Sequence, residues 1–383
     1  MSMFPLNQWY VAGFAWELTD QPLARTLLNH KVVLFRTGSG EVAALEDRCC
    51  HKSLPLSCGT VEDSGLRCGY HGLLFSPKGA CLEVPGQERV PTKACVKSFT
   101  LVEQDQILWI WMPQEQGAAP THAPPSYWVH KDPRYTFKGA VFHYDAPWQL
   151  IHDNLLDLSH LGYVHLKTIG GNAKVHMNAQ LKVEASGDQV RVLRHMPDSA
   201  PPPTYTGAWP FKGNIDRWQE VEFNLSHLNI WTGGADVGAV DMHDPQRGGF
   251  HMRGFHAITP ETDTTAHYMW TMASNRHPDK PDMSELVYEQ TALTFYEDKV
   301  VIEAQYRNML RFPGAPQVDI HVDVGPNRAR RVIERLLKQQ QAQQQPEPRP
   351  QPQPQQQSQQ GRLQEQQCGA GVAPLAAVAA AAP

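Results

Sequence analysis

Ile151–His165 reads IHDNLLDLSHLGYVH and places Asn154, Asp157, His160 and His165 close together in the chain. Pro147 suits the first turn of a helix, and Leu150, Leu155, Leu158 and Leu161 supply that helix with an apolar face. Asn154, Asp157 and His160 follow at i, i+3 and i+6. His165 comes five residues later, beyond Gly162. Five is not a helical repeat, so we expect the helix to break at Gly162 and bring both imidazoles to one ion. Two histidines and one carboxylate with open positions form the facial arrangement of non-haem Fe(II) sites. A lone buried imidazole would more often be a hydrogen-bonded core residue. The carboxylate is either Asp157 or a group far along the chain. Ser284–Leu310 reads as a second helix carrying Glu297, Asp298 and Glu303, and periodicity does not choose among them.

About a hundred residues upstream lies a second constellation, Cys49-x-His51 and Cys68-x-x-His71. It sits in two glycine-bearing loops, DRCCHKSLPLSCG and LRCGYHGLLF. A zinc finger usually groups two cysteines and then two histidines. Alternating Cys-His pairs suit a [2Fe–2S] cluster, the thiolates on one iron and the imidazoles on the other, which raises its potential. Leu28–Arg36, Glu41–Leu45 and Ile107–Met112 read as short strands around these loops, so residues 1–113 form a small all-β domain.

These two loops resemble the cluster motif of Rieske non-haem iron oxygenases. That family usually has Cys-Pro-His and Cys-Pro-Tyr-His; here Cys50 and Gly69 occupy the proline positions. Asn154-x-x-Asp157-x-x-His160-x4-His165 and Glu297-Asp298-Lys299 resemble the family's catalytic and distal segments. The resemblance implies an α+β chain, an N-terminal all-β Rieske domain followed by a helix-grip catalytic domain with an antiparallel sheet. It implies one [2Fe–2S] cluster on Cys49, His51, Cys68 and His71, and one mononuclear Fe(II) on His160, His165 and Asp298. Asp157 and Asn154 then support catalysis, Asp157 by bridging to the cluster histidine His71 of a neighbouring subunit in a head-to-tail homotrimer. Asn229 and His256 fall in segments, HLNIW and GFHAITPET, similar to substrate-lining segments of the family.

The implied activity is that of a terminal oxygenase component. It takes electrons from NADH through a flavin and iron–sulfur reductase and oxygenates a small aromatic carboxylate with O2. The resemblance is strongest to vanillate and dicamba O-demethylases, toluenesulfonate methyl-monooxygenases and phenoxybenzoate dioxygenases, so both O-demethylation and angular cleavage of a diaryl ether are implied. A Rieske electron carrier without catalysis is the alternative from another class; it needs only the first hundred-odd residues.

Pro113–Ser126 (PQEQGAAPTHAPPS) is polar and unpatterned, giving a linker at 114–126 and a catalytic domain at 127–340. Gln180–Glu184, Gln189–Arg194, Gln219–Leu225, Gly249–Ile258 and Ala266–Ala273 read as antiparallel strands, and Arg328–Lys338 as a last helix. Gln339–Gln367 is mostly glutamine and proline, and residues 341–383 are expected to be disordered.

The net charge of −5 gives no basic surface for nucleic acid. No apolar run is long enough for a bilayer, and the first twenty residues lack the layout of a signal peptide. Seven cysteines, an odd number, suggest reduced thiols in the cytoplasm. Cys58, Cys81 and Cys95 have no motif partner and are expected to be buried or idle thiols.

Overall fold

ILWIWM, Ile107–Met112, is buried at every position because it is the middle strand of a three-stranded antiparallel sheet, between Gln8–Phe14 and Leu101–Gln104. A strand covered on both faces needs a continuous apolar run. Leu108, Ile110 and Met112 enter the main core, while Trp109 and Trp111 pack with Phe255, Ala257 and Met269 from the second half of the chain. The two halves are therefore joined through a shared apolar core. The computed structural model describes residues 3–277, 279 and 283–344.

Two further four-stranded sheets complete the first half. One runs Leu23–Leu27, His30–Arg36, Val42–Glu46 and Ser98–Phe99; the other runs Thr60–Glu62, Gly65–Arg67, Leu74–Phe75 and Cys81–Glu83. The strand expected from Leu28 starts instead at His30. Leu28 and Asn29 both have positive φ, 49° and 66°, and form the turn of a hairpin whose first arm the sequence reading missed. Residues 113–126 carry no helix or strand, yet they are tied down. Trp9 Nε1 donates to the His122 carbonyl at 2.9 Å, and Gln104 Nε2 donates to the Pro125 carbonyl at 2.9 Å.

The second half is built on a seven-stranded antiparallel sheet. Its spatial order is Tyr135–Tyr144, Ala266–Asn275, Phe250–Pro260, His227–Asp236, Ile215–Asn224, Gln189–Ser199, Gln180–Ser186. The strand His227–Asp236 was not expected, because two glycines and a terminal aspartate dilute its apolar pattern. Met283–Arg311 is one long helix against the sheet. Its buried residues, Met283, Val287, Thr291, Thr294, Phe295, Asp298 and Ile302, recur at intervals of three and four, a single inward stripe. A carboxylate in that stripe needs a cation or donors to offset burial.

Helix Trp148–Leu156 begins after Pro147, as expected, and packs against a C-terminal helix, Val324–Gln344. Arg330 Nε donates to Asp153 Oδ1 at 2.9 Å across that contact. The last helix extends past both ends of the expected Arg328–Lys338. Residues 341–344, expected to be disordered, continue this helix, and Gln340 just before them is buried and accepts a hydrogen bond from Leu6 N at 2.6 Å. The rest of the glutamine-rich and alanine-rich stretch, from residue 345, lies outside the described residues, and Cys368 with it. Among the described residues no helix is long and apolar enough to cross a membrane.

Candidate metal centres

The two cysteine loops share one backbone design. Cys49 N donates to Leu54 O at 2.8 Å, and Ser53 N to Cys49 O at 3.0 Å. Cys68 N donates to Leu73 O at 2.9 Å, and Gly72 N to Cys68 O at 3.1 Å. The fourth residue after each cysteine takes positive φ, 61° at Ser53 and 75° at Gly72. Glycine tolerates this at no steric cost, while serine needs the surrounding loop to hold it. Asp47 supplies part of that hold by accepting from Ser57 N and Ser57 Oγ, both at 2.7 Å.

Each loop therefore turns its thiol inward and its imidazole outward. Cys49 and Cys68 are buried in a cluster with Phe35, Leu56 and Phe75, whereas His51 and His71 are exposed, with ring centroids 4.5 Å apart. The four donors do not converge on one ion, unlike the set formed by His160, His165 and Asp298. Paired thiols within and paired imidazoles without fit a two-iron cluster whose histidine edge faces outward. Cys50 is half-buried beside this loop, and Cys81 is half-buried as well. Cys58 and Cys95 are exposed, so burial does not account for these two thiols.

The second centre depends on a broken helix, and the break is not at Gly162. Trp148–Leu156 ends at Asp157, whose φ of −116° and ψ of 96° are extended. A 3₁₀ turn, Leu158–His160, and a single α turn, Leu161–Val164, follow. The carboxylate of Asp157 caps the new turn by accepting from Ser159 N at 2.9 Å and Ser159 Oγ at 3.0 Å. Gly162 has another use: a Cβ there would lie 2.3 Å from Ala173 Cα, so it permits close packing of the segment that follows.

The break leaves the Asp157 carbonyl free to accept from His160 Nδ1 at 2.6 Å. Glu297 Oε2 accepts from His165 Nδ1 at 2.7 Å. With both Nδ1 atoms engaged, both Nε2 atoms face Asp298, lying 3.3 Å (His160) and 3.1 Å (His165) from its Oδ1. Asn154 Nδ2 donates to the same oxygen at 3.0 Å. The three candidate ligand atoms all fall within 4.8 Å of one another. Two imidazole nitrogens and one carboxylate oxygen in this arrangement fit a divalent iron with open positions.

The helix register separates the three carboxylates of this helix. Asp298 lies in the buried stripe. Glu297, one position back, orients His165 from outside, a partner the sequence reading did not assign. Glu303 is used elsewhere, accepting from Asp145 N at 3.0 Å. Burial pushes the Asp298 carboxyl upward, but hydrogen bonds and charge from His160 and His165 outweigh it and hold the group well below the usual carboxylate range. Burial lowers His165, but Asp298 and then Glu297 outweigh it, so its pKa lies above the ordinary 6.5.

A cavity of about 50 Å³ opens in front of this triad, walled by Leu155, Leu158, Ile230, Met252, Met272 and Phe295. His256 lines it. Its Nδ1 lies 2.7 Å from Tyr268 Oη, while its Nε2 is buried and unpartnered; burial takes its pKa down to about 3, so the ring is neutral. Asn229 does not line it. Ile230 and Thr232 face the triad, and alternation along the strand turns Asn229 to the opposite face of the sheet. There it borders a separate cavity of about 700 Å³ with Trp231, Arg247 and Arg253. The sequence identified the segment HLNIW but not which of its residues points toward the iron ligands.

Comparison with known proteins agrees with this geometry. Residues 8–99 match the Rieske [2Fe-2S] domain, and residues 144–339 match the vanillate O-demethylase oxygenase C-terminal domain. The chain is 39% identical over 343 residues to a putative toluene-4-sulfonate monooxygenase system iron-sulfur subunit, TsaM2, of Comamonas testosteroni, covering 88% of this chain and 98% of that one. It is 36% identical to a vanillate O-demethylase oxygenase subunit of Pseudomonas sp. (strain HR199 / DSM 7063), covering 88% and 96%. A crystal structure of dicamba monooxygenase with non-heme iron and dicamba superposes with a TM-score of 0.72 at 30% identity, covering 89% of this chain and 99% of that one. This chain therefore belongs to the Rieske non-haem iron oxygenases, as an oxygenase component carrying a [2Fe–2S] cluster and a mononuclear iron site.

Proposed function

We propose that the chain mono-oxygenates a methyl carbon carried by an aromatic acid, with O-demethylation of an aryl methyl ether as the leading reaction. The observation that carries this reading is the His160–His165–Asp298 set opening onto a buried, largely apolar cavity. The relatives named for toluene-4-sulfonate, vanillate and dicamba support the substrate class. In balance, the ether, O2, two electrons and two protons yield a hemiacetal and water; the hemiacetal then breaks to a phenol and formaldehyde. Fe(II), when bound, supplies the activation of O2. The residues of the chain do the rest. Glu297 and the Asp157 carbonyl hold the imidazoles in one tautomer, Asn154 steadies Asp298, and the apolar walls keep bulk water out.

The cavity holds only a few waters, so a benzene ring enters by displacing wall side chains. Met252 and Met272, unbranched and adaptable, are the ones that yield most readily. Within one chain Asp157 makes no hydrogen bond to His71, and His71 is exposed. We assign Asp157 to the contact with His71 of a neighbouring copy in a trimer, with electrons supplied from NADH by a separate reductase in the cytoplasm.

The test is a single turnover. Anaerobic protein with its cluster chemically reduced is exposed to O2 with methoxybenzoates, toluene-4-sulfonate and phenoxybenzoates. Formaldehyde with a hydroxybenzoate supports the reading. A phenol and a catechol from phenoxybenzoate replace it with angular dioxygenation. Oxidation of the cluster with no change in any substrate sinks it.

A further inference from the structure

The iron-site cavity contains polar atoms that the chain itself leaves unsatisfied. Gln219 lines it, is 0% exposed, and neither its amide oxygen nor its amide nitrogen has a partner among the described residues. Two positions back on the same strand face is Arg217, 2% exposed. Its terminal nitrogens donate to the carbonyls of Ile169 at 2.8 Å and Gly170 at 3.4 Å, and its Nε is unpartnered. No carboxylate pairs with it among the described residues. A buried amide without partners and a buried cation without an anion both cost stability. Leucine or methionine would fill the Gln219 position at no such cost.

The sheet register separates these groups from His256. Gln219 pairs with Thr232, which pairs with Met252, and His256 lies four residues further along that strand. Gln219 and His256 are thus set apart along the sheet, and of the two it is Gln219 that has a cation, Arg217, two positions away on its own strand; the hydroxyls of Tyr205 and Thr291 also line the cavity without a partner.

We propose that Gln219 is the specificity-determining residue for the substrate's acid group: its amide N–H donates to an oxygen of an aromatic carboxylate or sulfonate, and Arg217 beside it supplies the balancing charge. This rests on the oxygenase reading of the cavity. The free enzyme holds an unsatisfied amide there because the substrate's oxyanion is its partner.

The test uses the holoenzyme with both metal centres loaded and the variants Gln219→Met, which keeps the volume, and Gln219→Glu, which places a carboxylate in the anion's position. Binding of 4-methoxybenzoate, toluene-4-sulfonate and the neutral methyl 4-methoxybenzoate is measured by calorimetry, and thermal midpoints are recorded without ligand. The wild type is expected to bind at least one acid more tightly than the ester, and the preferred acid tells carboxylate from sulfonate. Gln219→Met should lose roughly 10- to 100-fold in acid affinity, as for one hydrogen bond to a charged group. Its ester affinity should hold, and its thermal midpoint should stay level or rise. Gln219→Glu should abolish acid binding.

A lower midpoint with unchanged acid affinity would make Gln219 a structural residue and overturn the proposal. An ester bound more tightly than both acids, and still oxygenated, overturns the anion assignment while the oxygenase reading stands. Failure of all three to bind iron-loaded protein also overturns it. If Asp298→Ala leaves the iron content unchanged as well, the reading of the cavity falls too.

Discussion

The two metal centres are built by opposite means. The Rieske centre sits on two irregular loops, and its four candidate ligands are fixed by turns that hydrogen-bond within six residues. Its histidine edge is exposed. The mononuclear centre takes its candidate ligands from a broken helix and from a second helix more than a hundred residues away; His165 is 1% and Asp298 4% exposed. An electron-entry site needs access and a tuned potential, so local loops suffice. A site that handles oxygen beside substrate needs exclusion of water, and only packed elements provide that. The difference teaches that one centre is a local structure and the other a tertiary one.

The largest effect expected to test this contrast is reciprocal loss of metal. Asp298→Ala should remove the mononuclear iron and reduce turnover to background, with the cluster's visible absorption intact. Cys68→Ser should remove that absorption and leave mononuclear iron in place. Iron and sulfide analysis beside absorption spectra reads both. Loss of both centres in either variant would break the comparison.

The next effect is in acid. Burial lowers His130 to a pKa of about 4 and His152, His176 and His227 to about 3. All four lie in the second half. The unfolded chain takes up protons on these rings below about pH 6.5, the folded chain only near pH 3–4, so stability falls as pH drops through that window. For His130 alone the loss is on the order of 3 kcal/mol. Metal-free His165 runs the other way. Its raised pKa contributes stability that is complete below 6.5 and lost as pH rises through the folded value. Thermal midpoints from pH 7.5 to 4.5 should fall steeply on the acid side. A flat profile would mean that these rings are not held neutral.

A smaller effect is expected at Glu297. Glu297→Gln keeps an acceptor for His165 Nδ1 but removes the charge. Iron affinity at the mononuclear site should weaken by roughly 10- to 100-fold, with the cluster untouched. Competition with a chelator measures it. Smallest is Gln340→Leu, which strips the acceptor from Leu6 N and should lower stability by about 1–2 kcal/mol in denaturant titration without changing either centre.

Both cysteine loops were legible because their ligands are two and three residues apart and their turns are self-contained. Ile107–Met112 was read to the residue, since a run of β-formers needs no distant partner. The hairpin turn at Leu28–Asn29 was not legible: neither residue is glycine, and only the strand pairing imposes positive φ there. The helix break was misplaced for a similar reason. Gly162 looks like a breaker, but the break falls at Asp157, where a side-chain cap to Ser159 and the carbonyl's bond to His160 repay the lost helical bonds.

Sequence alone specified the chemistry: thiols and imidazoles at cluster spacing, and two more imidazoles with nearby carboxylates. Those are properties of residue type and short spacing. The tertiary structure alone decided which neighbour does which task. Asp298 rather than Glu297 enters the triad, Ile230 rather than Asn229 faces the cavity, and Gln219 waits there without a partner. A shift of one residue along a helix or strand exchanges inside for outside, and that register is set by packing against distant parts of the chain.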